Sequence, residues 1–169
     1  MPRETPDRDT TRRERLTVVG IGNPDRGDDA AGILVARALA GRLPPGATIV
    51  ESPGDVTDLV TILERSRCAV LIDAAQSEAE PGTVYRFDAT KEPLPAEYFR
   101  CSTHAFGLGQ TIELARTIGL LPRRLFVCGI EGRDFSIGAP LSDGTRAAID
   151  AAASMIHDLV EKLLQEDSG

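Results

Sequence analysis

The sequence predicts an α/β fold: a three-layer αβα sandwich with a mostly parallel sheet of about five strands. Three observations predict it. Short apolar runs alternate with stretches whose apolar residues recur at helical spacing, the mark of strand–helix–strand units. Two of the runs, at 68–73 and 125–130, are almost continuously apolar, as strands covered on both faces must be. Those two runs close on acids, Asp73 and Glu131, at the edge where an open parallel sheet places its ligand site.

Taken in order, residues 16–22 form the first strand, rising into the tight turn Gly20-Ile21-Gly22-Asn23-Pro24. A helix follows from 28 to about 41, with Ile33, Leu34, Val35, Ala38 and Leu39 as its apolar stripe. Leu43-Pro44-Pro45-Gly46 breaks the pattern, and 47–51 is a short second strand. The helix at 55–65 carries Val56, Leu59, Val60 and Leu63 on one side. After the third strand, 68–73, Pro81-Gly82 opens a fourth at 83–87, and a Pro-rich connection runs through Pro95. Ser102 or Thr103 is placed to cap a helix reaching about 118. The fifth strand is 125–130. A last helix, roughly 142–164, sets Ile149, Ala152, Ile156, Leu159, Val160 and Leu163 on one face.

At 169 residues the chain is long enough for one well-filled core. Residues 1–14 are polar throughout and read as a disordered leader, with 15–166 as a single domain. The leader lacks an apolar signal core, so no secretion signal is expected. A net charge of −7 argues against a nucleic-acid surface and against attraction to anionic membranes. Three cysteines, Cys68, Cys101 and Cys128, are an odd count without a CxxC pair, which fits a reducing, cytoplasmic setting. A monomer is the default expectation.

Chemistry concentrates at the carboxyl ends of the predicted strands. Asp28 and Asp29 follow the first, Asp73 ends the third and Glu131 the fifth, and His104 falls in the first turn of a helix. Carboxylates and an imidazole gathered on one edge suit a divalent ion such as nickel, zinc or manganese. Each has a plainer role as well. Asp28 and Asp29 could complement the first helix's dipole, Asp73 could cap a turn, and Glu131 could be solvated or hydrogen-bonded. His104 could be a cap or a core residue, while His157 borders the last helix's apolar stripe and reads as structural. Gly20-Ile21-Gly22 starts a dinucleotide fingerprint, but Asp25 stands where its third glycine belongs and would repel a pyrophosphate. There is no GxSxG elbow and no HExxH helix. Cys101 three residues before His104 is a weak hint of a thiol nucleophile or half a zinc site. Cys68 and Cys128 read as buried, inert thiols.

The segments GIGNPDRGDDAAG (20–32), LIDAA (71–75), STHAFGL (102–108) and VCGIEG (127–132), in this order and spacing, resemble the hydrogenase maturation endopeptidases. The resemblance spans about 16–165 and implies a sheet flanked by helices on both sides. It implies metal ligation by Asp29, Asp73 and His104, catalysis by Asp29 and Asp73, and Asp28 as a support behind them. Asp29 stands where some members carry glutamate, a reach shorter by one methylene. The implied reaction is cleavage of one peptide bond near the C-terminus of a nickel–iron hydrogenase large-subunit precursor. The implied nickel is carried by that substrate, where it signals completion. A metal-activated water and a carboxylate base are both compatible with this set. Two other readings stay open. One is a non-catalytic nickel-sensing chaperone using the same ligands. The other is a peptidyl-tRNA hydrolase-like esterase, which shares only the strand and the GxGNP turn.

Overall fold

A computed structural model describes residues 14–99 and 106–169. Its described residues form a five-stranded sheet in the order β2-β1-β3-β5-β4, with helices on both faces. The strands are β1 (Glu14–Ile21), β2 (Ala47–Ser52), β3 (Ser66–Ala75), β4 (Val84–Asp88) and β5 (Arg124–Glu131). Four run parallel, and β4 lies antiparallel on the edge against β5. The helices are α1 (Ala31–Leu39), α2 (Val56–Arg65), α3 (Leu108–Thr117) and α4 (Asp143–Asp167).

Side-chain alternation along the inner strands explains the two layers. Leu16, Val18, Val70, Ile72, Cys128 and Ile130 point to one face, where α1 and α4 cover them. Val19, Leu71, Leu125 and Val127 point to the other, beneath α2 and α3. Leu71 and Ile72 are neighbours buried on opposite faces, which is why the third strand reads as an unbroken apolar run.

Two predicted helix starts move, one for a long-range reason and one for a local one. The first helix does not begin at Asp28: a 3-10 turn, Gly27–Ala30, precedes α1, because the Asp28 carboxylate is held by distant backbone rather than by the helix's own N–H groups. The predicted cap at Ser102 or Thr103 lies outside the described residues, and α3 starts later, at Leu108. There the Gln110 side chain accepts the Gly107 N–H at 3.0 Å and closes the helix end. Both inner strands also extend past their predicted ends, so Asp73 is the third-last residue of β3 and Glu131 the last of β5. Among the described residues no helix is long and apolar enough to cross a membrane.

Candidate active site

The sheet order reverses between β1 and β3: the chain leaves β1 to build β2 on one side, then returns to place β3 on the other. At such a switch point the connections diverge, and outside the carboxyl ends of the two strands is where an open α/β sheet places its ligand crevice. The turn after β1 and the end of β3 border that crevice. Gly32 lets α1 close on it, since a Cβ there would lie 2.2 Å from the Ile72 carbonyl oxygen and 2.5 Å from that of Ile21.

The turn after β1 is built to present Asp29. Gly22 has φ +143, and a Cβ on it would lie 1.9 Å from the Asp29 carbonyl oxygen, so only glycine lets the chain double back here. Asn23 Oδ1 accepts the Asp25 N–H at 2.9 Å, an Asx turn that sets up the loop. Arg26 N–H donates to the Asn23 carbonyl and Asp29 N–H to the Arg26 carbonyl, winding the loop into the 3-10 turn. The Asp29 carboxylate then folds back over the turn. Its Oδ2 accepts the Asn23 N–H at 3.1 Å and stands 3.7 Å from Arg26 Nη1.

Asp73 comes from β3 on the face shared with Leu71 and Ala75. It keeps a little accessible surface, and its Oδ1 accepts the Ala74 N–H at 2.9 Å. Burial, reinforced by the nearby Asp29 charge, pushes its carboxyl up to about 8. Asp29 and Asp73, from different elements, therefore sense each other electrostatically, and Asp73 holds a proton at neutral pH. Such a pair in unlike protonation states offers both a base and an acid.

Asp28 faces elsewhere. It is 0% exposed, and its carboxylate accepts the N–H groups of Arg133 (2.7 Å), Asp134 (3.2 Å) and Ser142 (2.8 Å). Burial works to raise its pKa, but these donors outweigh it and hold the group below the ordinary carboxylate value. Its expected helix-dipole role gives way to a tie between the turn and the loop that leads into α4. Glu131 is likewise occupied: its carboxylate accepts Ser77 N–H at 2.8 Å and Ser77 Oγ–H at 2.9 Å. Its carbonyl accepts Gly82 N–H and Thr145 Oγ1–H, so the residue joins the β3–β4 connection to α4.

His104 and Cys101 lie outside the described residues. Cys68 and Cys128 are buried. Burial raises both thiols, Cys128 to about 12, which leaves them inert as expected. His157, with Asp158 and Glu161, has donor atoms within 4.8 Å of one another on the outer side of α4, a half-buried imidazole beside two exposed acids. That group sits on a solvated helix face, and its imidazole lies 3.5 Å from Asp158. The residue that sequence reasoning missed is Arg26. Its signal was its place three positions before Asp29 within one tight turn.

The family model described as hydrogenase maturation protease matches residues 33–159, a stretch containing Asp73 and His104. The chain is 26% identical over 145 residues to the hydrogenase expression/formation protein HupM of Azotobacter chroococcum mcd 1, covering 83% of this chain and 68% of that protein. It is 25% identical over 146 residues to the hydrogenase 2 maturation protease of Escherichia coli K12, covering 84% and 88%. In structure it matches the hydrogenase maturating endopeptidase HybD from E. coli, with a TM-score of 0.69 and 21% identity over 88% of this chain and 93% of that one. HybD from Thermococcus kodakarensis matches with a TM-score of 0.65 and 23% identity over 86% and 99%. These structures share the five-strand, two-layer-of-helices fold expected from the sequence. With a family match across most of its length and relatives that are maturation proteases, this chain belongs to the hydrogenase maturation protease family and is a peptidase.

Proposed function

We propose that the protein is an endopeptidase that removes a C-terminal peptide from a nickel-loaded hydrogenase large-subunit precursor. Nickel enters as part of the substrate. The observation that carries this reading is the placement of Asp29, in the turn after β1, beside Asp73, near the end of the paired strand β3, whose carboxyl is raised by burial and by the Asp29 charge. Hydrolysis of a peptide bond takes a proton from water and delivers one to the departing amine. Asp29, held by the Asn23 N–H, is suited to accept the first, and Asp73 to supply the second. Asp29 and His104 also offer borderline donors of the kind nickel accepts, and Asp73 joins them as a carboxylate once its proton has left for the amine. Docking of the substrate's nickel on that set would hold the scissile bond close, which converts recognition into proximity.

The test is a comparison of masses. The protein is mixed in sub-stoichiometric amount with nickel-loaded and nickel-free precursor, and only the loaded form should lose a C-terminal peptide. Asp29→Asn, Asp73→Asn and His104→Ala should each slow cleavage by roughly 100-fold or more while the chain stays folded. Equal cutting of the nickel-free form overturns the nickel requirement, and full activity in all three variants overturns the site. A precursor bound one-to-one with unchanged mass favours the chaperone reading instead.

A further inference from the structure

Arg26 is held in the same turn as Asp29 by its own backbone, through the Asn23 carbonyl on one side and the Asp29 N–H on the other. Its side chain is 18% exposed. Nη1 is shielded from solvent and, among the described residues, donates to no acceptor. The ion pair to Asp29 Oδ2 at 3.7 Å is longer than a charge-assisted hydrogen bond, which runs at about 2.7–2.9 Å. A guanidinium carries five N–H donors, and burying one with so little hydrogen bonding is unfavourable. Packing does not explain it, because an apolar side chain of similar length would fill the space without that cost. What the arginine supplies here is its charge, set against the carboxylates of the crevice.

We propose that Arg26 is a specificity-determining residue of this site, a resident cation beside Asp29 that keeps bare divalent ions out and admits a metal already neutralised by a protein substrate's own ligands. The inference rests on the functional reading above and deepens it. A divalent ion bound at Asp29 must sit within several ångströms of the guanidinium. At about 6 Å, repulsion between a single and a double charge weakens binding roughly tenfold even at the dielectric constant of water, and more in a drier crevice. An ion that arrives inside a precursor, with part of its charge cancelled by its own ligands, meets less of that repulsion. The same carboxylates can therefore ignore free metal and still engage a metal-bearing protein.

The deciding experiment is calorimetric titration of cadmium into the full-length protein, with no precursor present. Arg26→Met removes the charge at similar length, Arg26→Lys keeps it, and Arg26→Met combined with Asp29→Asn removes the proposed partner. Arg26→Met should bind cadmium at least ten times more tightly than the wild type, Arg26→Lys should stay near the wild type, and the double variant should lose the gain. If Arg26→Met does not fold, Arg26→Gln carries the same comparison. Unchanged or weaker binding after loss of the charge overturns the inference, as does a gain that survives removal of the Asp29 charge. In a cleavage assay, free cadmium should inhibit Arg26→Met at a concentration about ten times lower than it inhibits the wild type. Because the titration needs no turnover, a wild type that leaves the precursor uncut sinks the functional reading and leaves this result standing on its own.

Discussion

The N–H groups of Arg133, Asp134 and Ser142 all point at the Asp28 carboxylate, while that of Asp29, the next residue, takes the Asn23 N–H and stands beside an arginine and a second acid. The first carboxylate belongs to a scaffold that runs from the 3-10 turn through the loop after β5 into α4, and Glu131 is part of it. The second belongs to the site outside the carboxyl ends of the paired strands β1 and β3. The scaffold satisfies its acids with backbone and hydroxyl donors, so its charges are stabilised and chemically silent. In the crevice, Asp73 is buried against like charge, an arrangement that works against folding and is typical of sites that do chemistry. One residue of sequence separates these two uses of aspartate.

The sharpest way to break that distinction is to substitute the two neighbours. Asp28→Ala leaves those three part-buried N–H groups without their acceptor, each a penalty of about 1–3 kcal/mol at most. The expected loss is about 4 kcal/mol, or a fall in Tm of roughly 10 °C for a chain of this size. Asp29→Asn should move Tm by only a few degrees while suppressing cleavage. Thermal melts of both variants beside the cleavage assay decide it. If Asp28→Ala melts like the wild type, the scaffold assignment is wrong.

Much of this arrangement is legible in the sequence, and the parts that are not share a cause. The runs through Leu71-Ile72 and Val127-Cys128 reveal inner strands because burial on both faces leaves no room for polar residues. Asp73 and Asp29 can be picked out because an acid at the mouth of a buried strand has no packing reason to be there. The role of Asp28 is hidden because its partners lie more than a hundred positions away, with Arg133 at a separation of 105. No local pattern encodes a backbone N–H arriving from that far. Glu131 is hydrogen-bonded, as one of its readings expected, but its partner is hidden for the same reason, since Ser77 is at a separation of 54. The start of α3 is misplaced because Ser102 and Thr103 are good capping residues by type, whereas the helix closes on Gln110 and Gly107. Arg26 is easily passed over, because a charged side chain after Pro-Asp reads as a solvated loop residue and its only signal is the three-residue spacing to Asp29.

Glu131 gives a smaller and more selective test of the boundary between the regions. Glu131→Gln keeps one carbonyl oxygen for the Ser77 N–H but turns the other acceptor into a donor, so the Ser77 hydroxyl must reverse to accept from it and both bonds lose their charge assistance. A loss of about 1–2 kcal/mol is expected, read as a lower urea midpoint with an unchanged m-value. Cleavage under stabilising conditions should match the wild type. A variant that stays stable but loses cleavage would place Glu131 on the crevice side.

The smallest effects are the most diagnostic, because the two regions should respond to pH with opposite signs. Asp28 titrates lower in the folded chain than unfolded, so its contribution is present above the unfolded value and disappears as the pH falls toward the depressed one. Asp73 is the reverse: its carboxyl titrates near 8 when folded and near 3.8 when unfolded. Between those values the folded state binds the extra proton, so stability declines as pH rises, by at most about 1.4 kcal/mol per unit, and levels off above 8. Asp73→Asn removes that decline, since the amide oxygen still accepts the Ala74 N–H and no charge forms beside Asp29. The variant should therefore be more stable than the wild type at neutral and alkaline pH, by on the order of 1 kcal/mol, equivalent to about 2–4 °C in Tm. That advantage should shrink toward pH 4. Urea unfolding of both proteins from pH 4 to 9 measures it directly. A stability difference that does not change with pH would mean that neither burial nor the Asp29 charge raises the Asp73 carboxyl, and the contrast between the two regions would collapse with it.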